Sequence, residues 1–162
     1  MRYLFLDRII SIEEDISIRT IKAITSSEDF FLDHFPANPV MPGALIIEAA
    51  AQAGTALIEI SSGYTKKAFL IMVQDAKFRV LVKPGATLII DLSITNKEAE
   101  SIRTDCEVIM SVPGSKEQRV ATLSLTFGIR PIEEFYSEEV RKYIRSNYET
   151  WLIQAGRKSD NQ

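Results

Sequence analysis

Histidine and cysteine are almost absent from this chain, with one of each in 162 residues. A lone cysteine, Cys106, makes no intrachain disulfide, so no secreted disulfide framework supports the fold. With one histidine and one cysteine, a zinc site would need mostly carboxylate ligands, which argues against a structural zinc site and predicts no metal. Cys106 also lies between Asp105 and Glu107 in an expected strand. Nearby acids raise a thiol pKa, so it reads as a strand residue without chemistry. Positive charge is not in excess either. The formal net charge is −3, which gives no basis for a nucleic-acid partner. There is no internal repeat and no low-complexity segment. The N-terminal MRYLFLDRIISIEED has Asp7 and Arg8 inside its apolar run and lacks the layout of a signal peptide. The longest apolar stretches fall short of the roughly 20 residues that span a bilayer. These absences predict a soluble, cytoplasmic protein without membrane insertion.

What is present suits a single globular domain with a real core: 46% hydrophobic and 25% charged residues. Residues 3 to 12 and 16 to 24 read as two strands around the Glu13-Glu14-Asp15 turn. Residues 25 to 38 read as loop. GALIIEAAAQAGTALIEI, residues 43 to 60, is rich in alanine and leucine and predicts one long helix. Pro42 suits its first position, and Ser61-Ser62-Gly63 its end. Glu48, Gln52, Thr55 and Glu59 fall at spacings of four, three and four, so they form one polar stripe on an otherwise apolar cylinder. β-type runs follow at 68 to 74, 77 to 82, 86 to 94, 102 to 112 and 119 to 129, with turns at Lys83-Pro84-Gly85 and Pro113-Gly114-Ser115. Short connections predict antiparallel neighbours. The expected class is α+β, an antiparallel sheet wrapped around one long central helix. Residues 131 to 154 are expected as a C-terminal helical extension, capped by Ser137 and opened by Glu138 and Glu139. Val140, Ile144, Tyr148 and Trp151 share one face of it. That face fits the body of the same protein, a partner subunit or, least well, a membrane surface. Residues 155 to 162 are expected to be a disordered tail.

The single histidine, His34, opens the stretch HFPANPVMPGALIIEAAAQ, residues 34 to 52. A lone loop histidine is ordinarily a surface group, and a polar stripe on a helix is ordinarily its solvated face. Local features point further. Pro36, Pro39 and Pro42 stiffen the loop and can aim a side chain. Gly43 permits close approach to backbone and opens the helix, where free N–H groups favour a developing oxyanion. Glu48 stands among apolar neighbours that favour its neutral form. A near-neutral base, an oxyanion donor and a neutral acid suit removal of a proton α to a carbonyl with loss of a β-hydroxyl.

That stretch strongly resembles the signature of the β-hydroxyacyl-acyl-carrier-protein dehydratases of fatty-acid synthesis, the FabZ/FabA type with a hot-dog fold. RYLFLDRI at 2 to 9 and DAKFRVLVKPGATL at 75 to 88 share the similarity less sharply, and in all it covers about residues 2 to 130. The resemblance implies a hot-dog dehydratase domain over 1 to 130. It implies His34 as the catalytic base and Glu48 as the acid; a glutamate there resembles the FabZ branch. It implies Gly43 as the residue that binds the thioester carbonyl through its N–H, and Gln52 as the residue that orients the acid. It further implies no metal or organic cofactor, a substrate borne on the phosphopantetheine of acyl carrier protein, and a homodimer with active sites at the subunit interface. A trimer of dimers is also open to it. Lys66, Lys67, Lys77, Arg79 and Lys83 are candidate docking bases for an acidic carrier protein. Ala37 stands where the family commonly has glycine. A hot-dog thioesterase and a non-catalytic acyl-carrier binding subunit are the rival readings.

Overall fold

The computed structural model describes residues 3–154. Its elements in chain order are β1 (Arg8–Glu13), β2 (Ser17–Ala23), a 3-10 turn (Asp29–Phe31), α1 (Gly43–Ser61), β3 (Lys66–Phe78), β4 (Thr87–Lys97), β5 (Ser101–Ser111), β6 (Gln118–Pro131), a second 3-10 turn (Ile132–Glu134) and α2 (Glu138–Gln154). The six strands form one antiparallel sheet in the order β1-β2-β4-β5-β6-β3. The sheet wraps α1, and α2 packs outside it. This is the α+β hot-dog arrangement.

The core follows from two periodicities. Along the strands every second residue turns inward: Leu88, Ile90 and Leu92 on β4, Leu123, Leu125 and Phe127 on β6. On α1 the inner face is built from Ala49, Ala50, Ala53, Ala56 and Leu57, all fully buried. Small side chains there let the sheet approach closely. Gly54 is the limiting case, because a Cβ on it would lie 2.4 Å from Phe127 Cζ. Each large apolar side chain buried this way stabilises the fold by about 1.5–3 kcal/mol. With 19 residues and a mean hydropathy of 1.4, α1 is long and apolar enough to cross a membrane, but it is mostly buried by the sheet, as a core helix is.

Several expectations need correction. The first strand starts at Arg8, not at residue 3. In the preceding segment Asp7 N–H still donates to Ile21 O of β2 at 2.9 Å, but farther back Phe5 N–H donates to a helix side chain, Gln52 Oε1, at 2.8 Å, and Phe5 and Leu6 are buried. Pro42 caps α1 in an extended conformation (φ −57, ψ 135) instead of occupying its first turn. The runs at 68–74 and 77–82 are one strand, β3, which bends through pairing shifts at Leu70/Met72 and Val73/Asp75 and ends at Phe78. Lys83-Pro84-Gly85 joins no hairpin, because β3 pairs with β6 at the far edge. The turn carries the chain across instead, pinned where Gly85 N–H donates to Ile24 O at 2.8 Å and Ile24 N–H to Ala86 O at 2.9 Å. The expected tail at 155 to 162 lies outside the described residues.

Candidate active site

The loop between the first 3-10 turn and α1 is closed by its own backbone. Asn38 N–H donates to Phe35 O at 3.0 Å, Val40 N–H to His34 O at 2.9 Å, and Met41 N–H to Val82 O at 2.8 Å. Ala37 sits in the left-handed region at φ 64, which residues with a Cβ seldom adopt. Within this frame the half-buried His34 ring stacks on Phe35 with centroids 4.1 Å apart. Its Nδ1 lies 2.8 Å from Val40 O. A carbonyl oxygen only accepts, so Nδ1 carries the hydrogen, and in the neutral tautomer this bond selects, Nε2 is the nitrogen with the lone pair. Val40 therefore holds His34 twice: its N–H fixes the histidine backbone and its carbonyl fixes the tautomer.

Glu48 lies on the second turn of α1, half-buried. Gln52, one turn on, donates from Nε2 to Glu48 Oε1 at 2.8 Å and accepts from Phe5 N–H at 2.8 Å. Gln52 is thus locked between the N-terminal segment and the carboxylate. Glu48 Oε2 has no hydrogen-bond partner among the described residues. Gly43 is the first residue of α1, so its N–H is one of the donors that a helix leaves unused. A Cβ on Gly43 would sit 3.2 Å from Phe78 Cζ, so the ring of Phe78 covers it closely.

Glu48, Gln52 and Thr55 line a cavity of about 380 Å³ together with Tyr3, Leu4 and Leu6, residues 67 to 70 of β3, and Tyr148 and Trp151 of α2. His34 does not line it, and no contact joins His34 to Glu48 among the described residues. Within one chain Glu48 is bonded to Gln52, and His34 is not among the residues that line their cavity. A larger groove of about 610 Å³ on the sheet, lined by Arg19, Asp75, Asp91, Asp105 and Glu107, contains neither His34 nor Glu48. No cluster of three or more histidine, cysteine or carboxylate side chains suited to a metal occurs among the described residues.

The fourth member of the expected polar stripe belongs elsewhere. Glu59 is fully buried. Its Oε1 accepts from Lys67 Nζ at 2.6 Å and its Oε2 from the Tyr148 hydroxyl at 3.1 Å. Lys67 therefore drops out of the docking bases, because its charge is matched inside the fold. Burial, reinforced by the negative charge of Glu59, holds the Tyr148 phenol well above its ordinary value. Burial and the acids Asp91, Glu107 and Asp105 likewise push up the Cys106 thiol, which leaves it a poor nucleophile. The sequence reading missed Val40, Phe78 and the Glu59–Tyr148 pair. A backbone carbonyl carries no side-chain signal. A contact across 89 residues carries no local one.

Residues 1–116 match the FabA-like domain family. A 3-hydroxyacyl-[acyl-carrier-protein] dehydratase FabZ from Lactiplantibacillus plantarum is 38% identical over 125 residues, which cover 76% of this chain and 82% of that one. Its counterpart from Rickettsia felis is 43% identical over 99 residues, covering 60% and 68%. Among solved structures, a Streptococcus mutans protein bound to acetyl CoA superposes with a TM-score of 0.61 at 17% identity, covering 81% of this chain and 94% of that one. A Thermus thermophilus thioesterase superfamily member gives 0.61 at 14% identity, covering 86% and 98%. At those identities the structures show a shared fold alone. The match across most of the sequence and the identity to both relatives place this chain in the FabA-like family, among its FabZ-type hot-dog dehydratases.

Proposed function

We propose that this chain dehydrates β-hydroxyacyl-acyl-carrier-protein thioesters reversibly to trans-2-enoyl thioesters, as a hydro-lyase of acyl-chain synthesis. The observation that supports the catalytic assignment is the bond from His34 Nδ1–H to Val40 O, which leaves Nε2 as the ring nitrogen available to act as a base. Nε2 takes the α-proton, and the C–H electron pair becomes the new double bond. The thioester oxygen gains charge in that step, and the Gly43 N–H at the opening of α1 stabilises it. The β-carbon–oxygen bond breaks, and Glu48, through its free Oε2, gives the departing hydroxyl a proton so that it leaves as water. The proton on His34 then returns to Glu48 through solvent, which resets the pair. Gln52 keeps the carboxyl group oriented by its bond to Oε1. All atoms balance without a metal or an organic cofactor.

The working unit is a homodimer with its sites at the interface. Support comes from β3, a 13-residue edge strand that exposes Phe69, Ile71, Met72 and Val73. An apolar open edge of that length is a template for a second chain. The separation of His34 from the Glu48 cavity within one chain supports the same reading, with each cavity completed by the other chain's histidine. The acidic carrier protein docks on Lys66, Lys77, Arg79 and Lys83, and the enzyme works in the cytoplasm. Residues 1–130 form the dehydratase domain and 131–154 an extension upon it.

Purified protein incubated with a crotonyl-carrier thioester tests the reading. Formation of the β-hydroxybutyryl thioester supports it. Release of free thiol assigns a thioesterase instead, and binding without conversion assigns a carrier-binding subunit.

A further inference from the structure

We infer that α2 forms the closed end of the acyl-binding cavity and that Trp151 sets the length of chain the enzyme accepts. The inference rests on the dehydratase reading of the Glu48 site. Trp151 and Tyr148 line the same cavity as Glu48, together with Leu4, Leu6 and Leu70. Glu48 provides the reacting end. Leu4, Leu6, Leu70 and Trp151 provide an apolar side that suits methylenes, beside the polar Gln52 and Thr55 of α1.

The α2 wall is anchored at several points. The Tyr148 hydroxyl donates to the buried Glu59, which lies eleven residues beyond Glu48 on α1, about 16 Å away at helical rise. Tyr148 stacks on Tyr64 with centroids 6.1 Å apart. Trp151 meets Tyr148 edge-on at 5.7 Å, and Leu152 is buried in the core. Arg145 lies over Tyr64 at 5.3 Å. Lys67 also borders the cavity, but its ammonium is held by Glu59 at 2.6 Å and lies 5.6 Å from the Tyr136 ring, so its charge is already matched. A wall fixed this way stops an acyl chain; it does not yield to it. The family match ends at residue 116, so this wall is supplied by a segment beyond the matched region.

Trp151→Ala and Trp151→Leu test the wall; the leucine variant keeps an apolar group should the alanine variant fail to fold by circular dichroism. Two readouts use β-hydroxyacyl thioesters of increasing length and, in parallel, unreactive acyl-pantetheine thioethers of the same lengths. The first is kcat/KM by length, the second Kd by length. Each methylene in an apolar pocket discriminates by roughly tenfold or more, so the ratio of long-chain to short-chain kcat/KM should rise about tenfold, and the length at which Kd stops improving should increase. Length profiles that match wild type in both readouts overturn the inference. A shifted Kd profile in proteins that dehydrate nothing keeps the wall and removes the dehydratase reading.

Discussion

The His34 ring nitrogen and the Tyr148 hydroxyl each make one hydrogen bond, yet the two bonds are made differently. His34 is tied to a backbone carbonyl six residues away, inside a loop stiffened by three prolines. Tyr148 is tied to a buried carboxylate 89 residues away, which also holds a lysine. The first bond lies within a single loop and, on the proposed reading, positions a base. The second joins separate elements and requires that α1, β3 and α2 all be in place. A site can therefore have a locally encoded reacting group and a globally encoded shape.

The contrast predicts two kinds of failure, in activity alone or in stability and shape. The largest effect belongs to His34→Ala, which should lower kcat by about 10²- to 10⁴-fold, the usual worth of a positioned general base. The cost in urea unfolding should stay at about 1 kcal/mol, the worth of the lost bond to Val40 O, because the backbone bonds that close the loop are kept. A wild-type rate would remove His34 from the reaction.

Glu59→Ala comes next. It leaves Lys67 without its buried partner and should cost about 3 kcal/mol in urea unfolding. A cost near that of a surface substitution would mean that α2 is not held through Glu59.

Tyr148→Phe should cost about 2 kcal/mol, one hydrogen bond to a charged carboxylate, and carries a pH signature. Burial raises the folded Tyr148 pKa above its ordinary 10.0. The unfolded chain loses that proton first as pH rises, so the stabilising contribution is whole below pH 10 and declines above it. Trp151 fluorescence at increasing alkalinity should report the release of α2 in the wild type. Tyr148→Phe should remove that component of the dependence, and an identical alkaline profile would show that another group governs it.

The same division explains what could be read from the sequence. The Ala/Leu-rich run gives α1 to within a residue of its observed end at Ser61, because helix propensity is local. β4, β5 and β6 were legible from alternation and from the Pro113-Gly114 turn. The place of β3 was not. Its partner is β6, more than forty residues on, and no local turn signals that pairing. Within the site, His34, Gly43, Glu48 and Gln52 stand out as residue types in one segment. The Gln52–Glu48 bond follows from helical spacing. Glu59 has the same spacing and was read into the same stripe, but it turns away into the core because Lys67 and Tyr148 meet it there. Periodicity identifies a face of a helix; the partner each residue finds on that face depends on the tertiary fold.

On the proposed reading, one active site takes His34 from one chain and Glu48 from its neighbour. Inactive His34→Ala dimers mixed with inactive Glu48→Gln dimers test it directly, with subunit exchange followed by a size or affinity tag. A heterodimer then contains one intact pair, and random exchange should restore about a quarter of the wild-type dehydration rate. Complete exchange without any recovery would contradict the shared site and place both groups of each pair on the same chain.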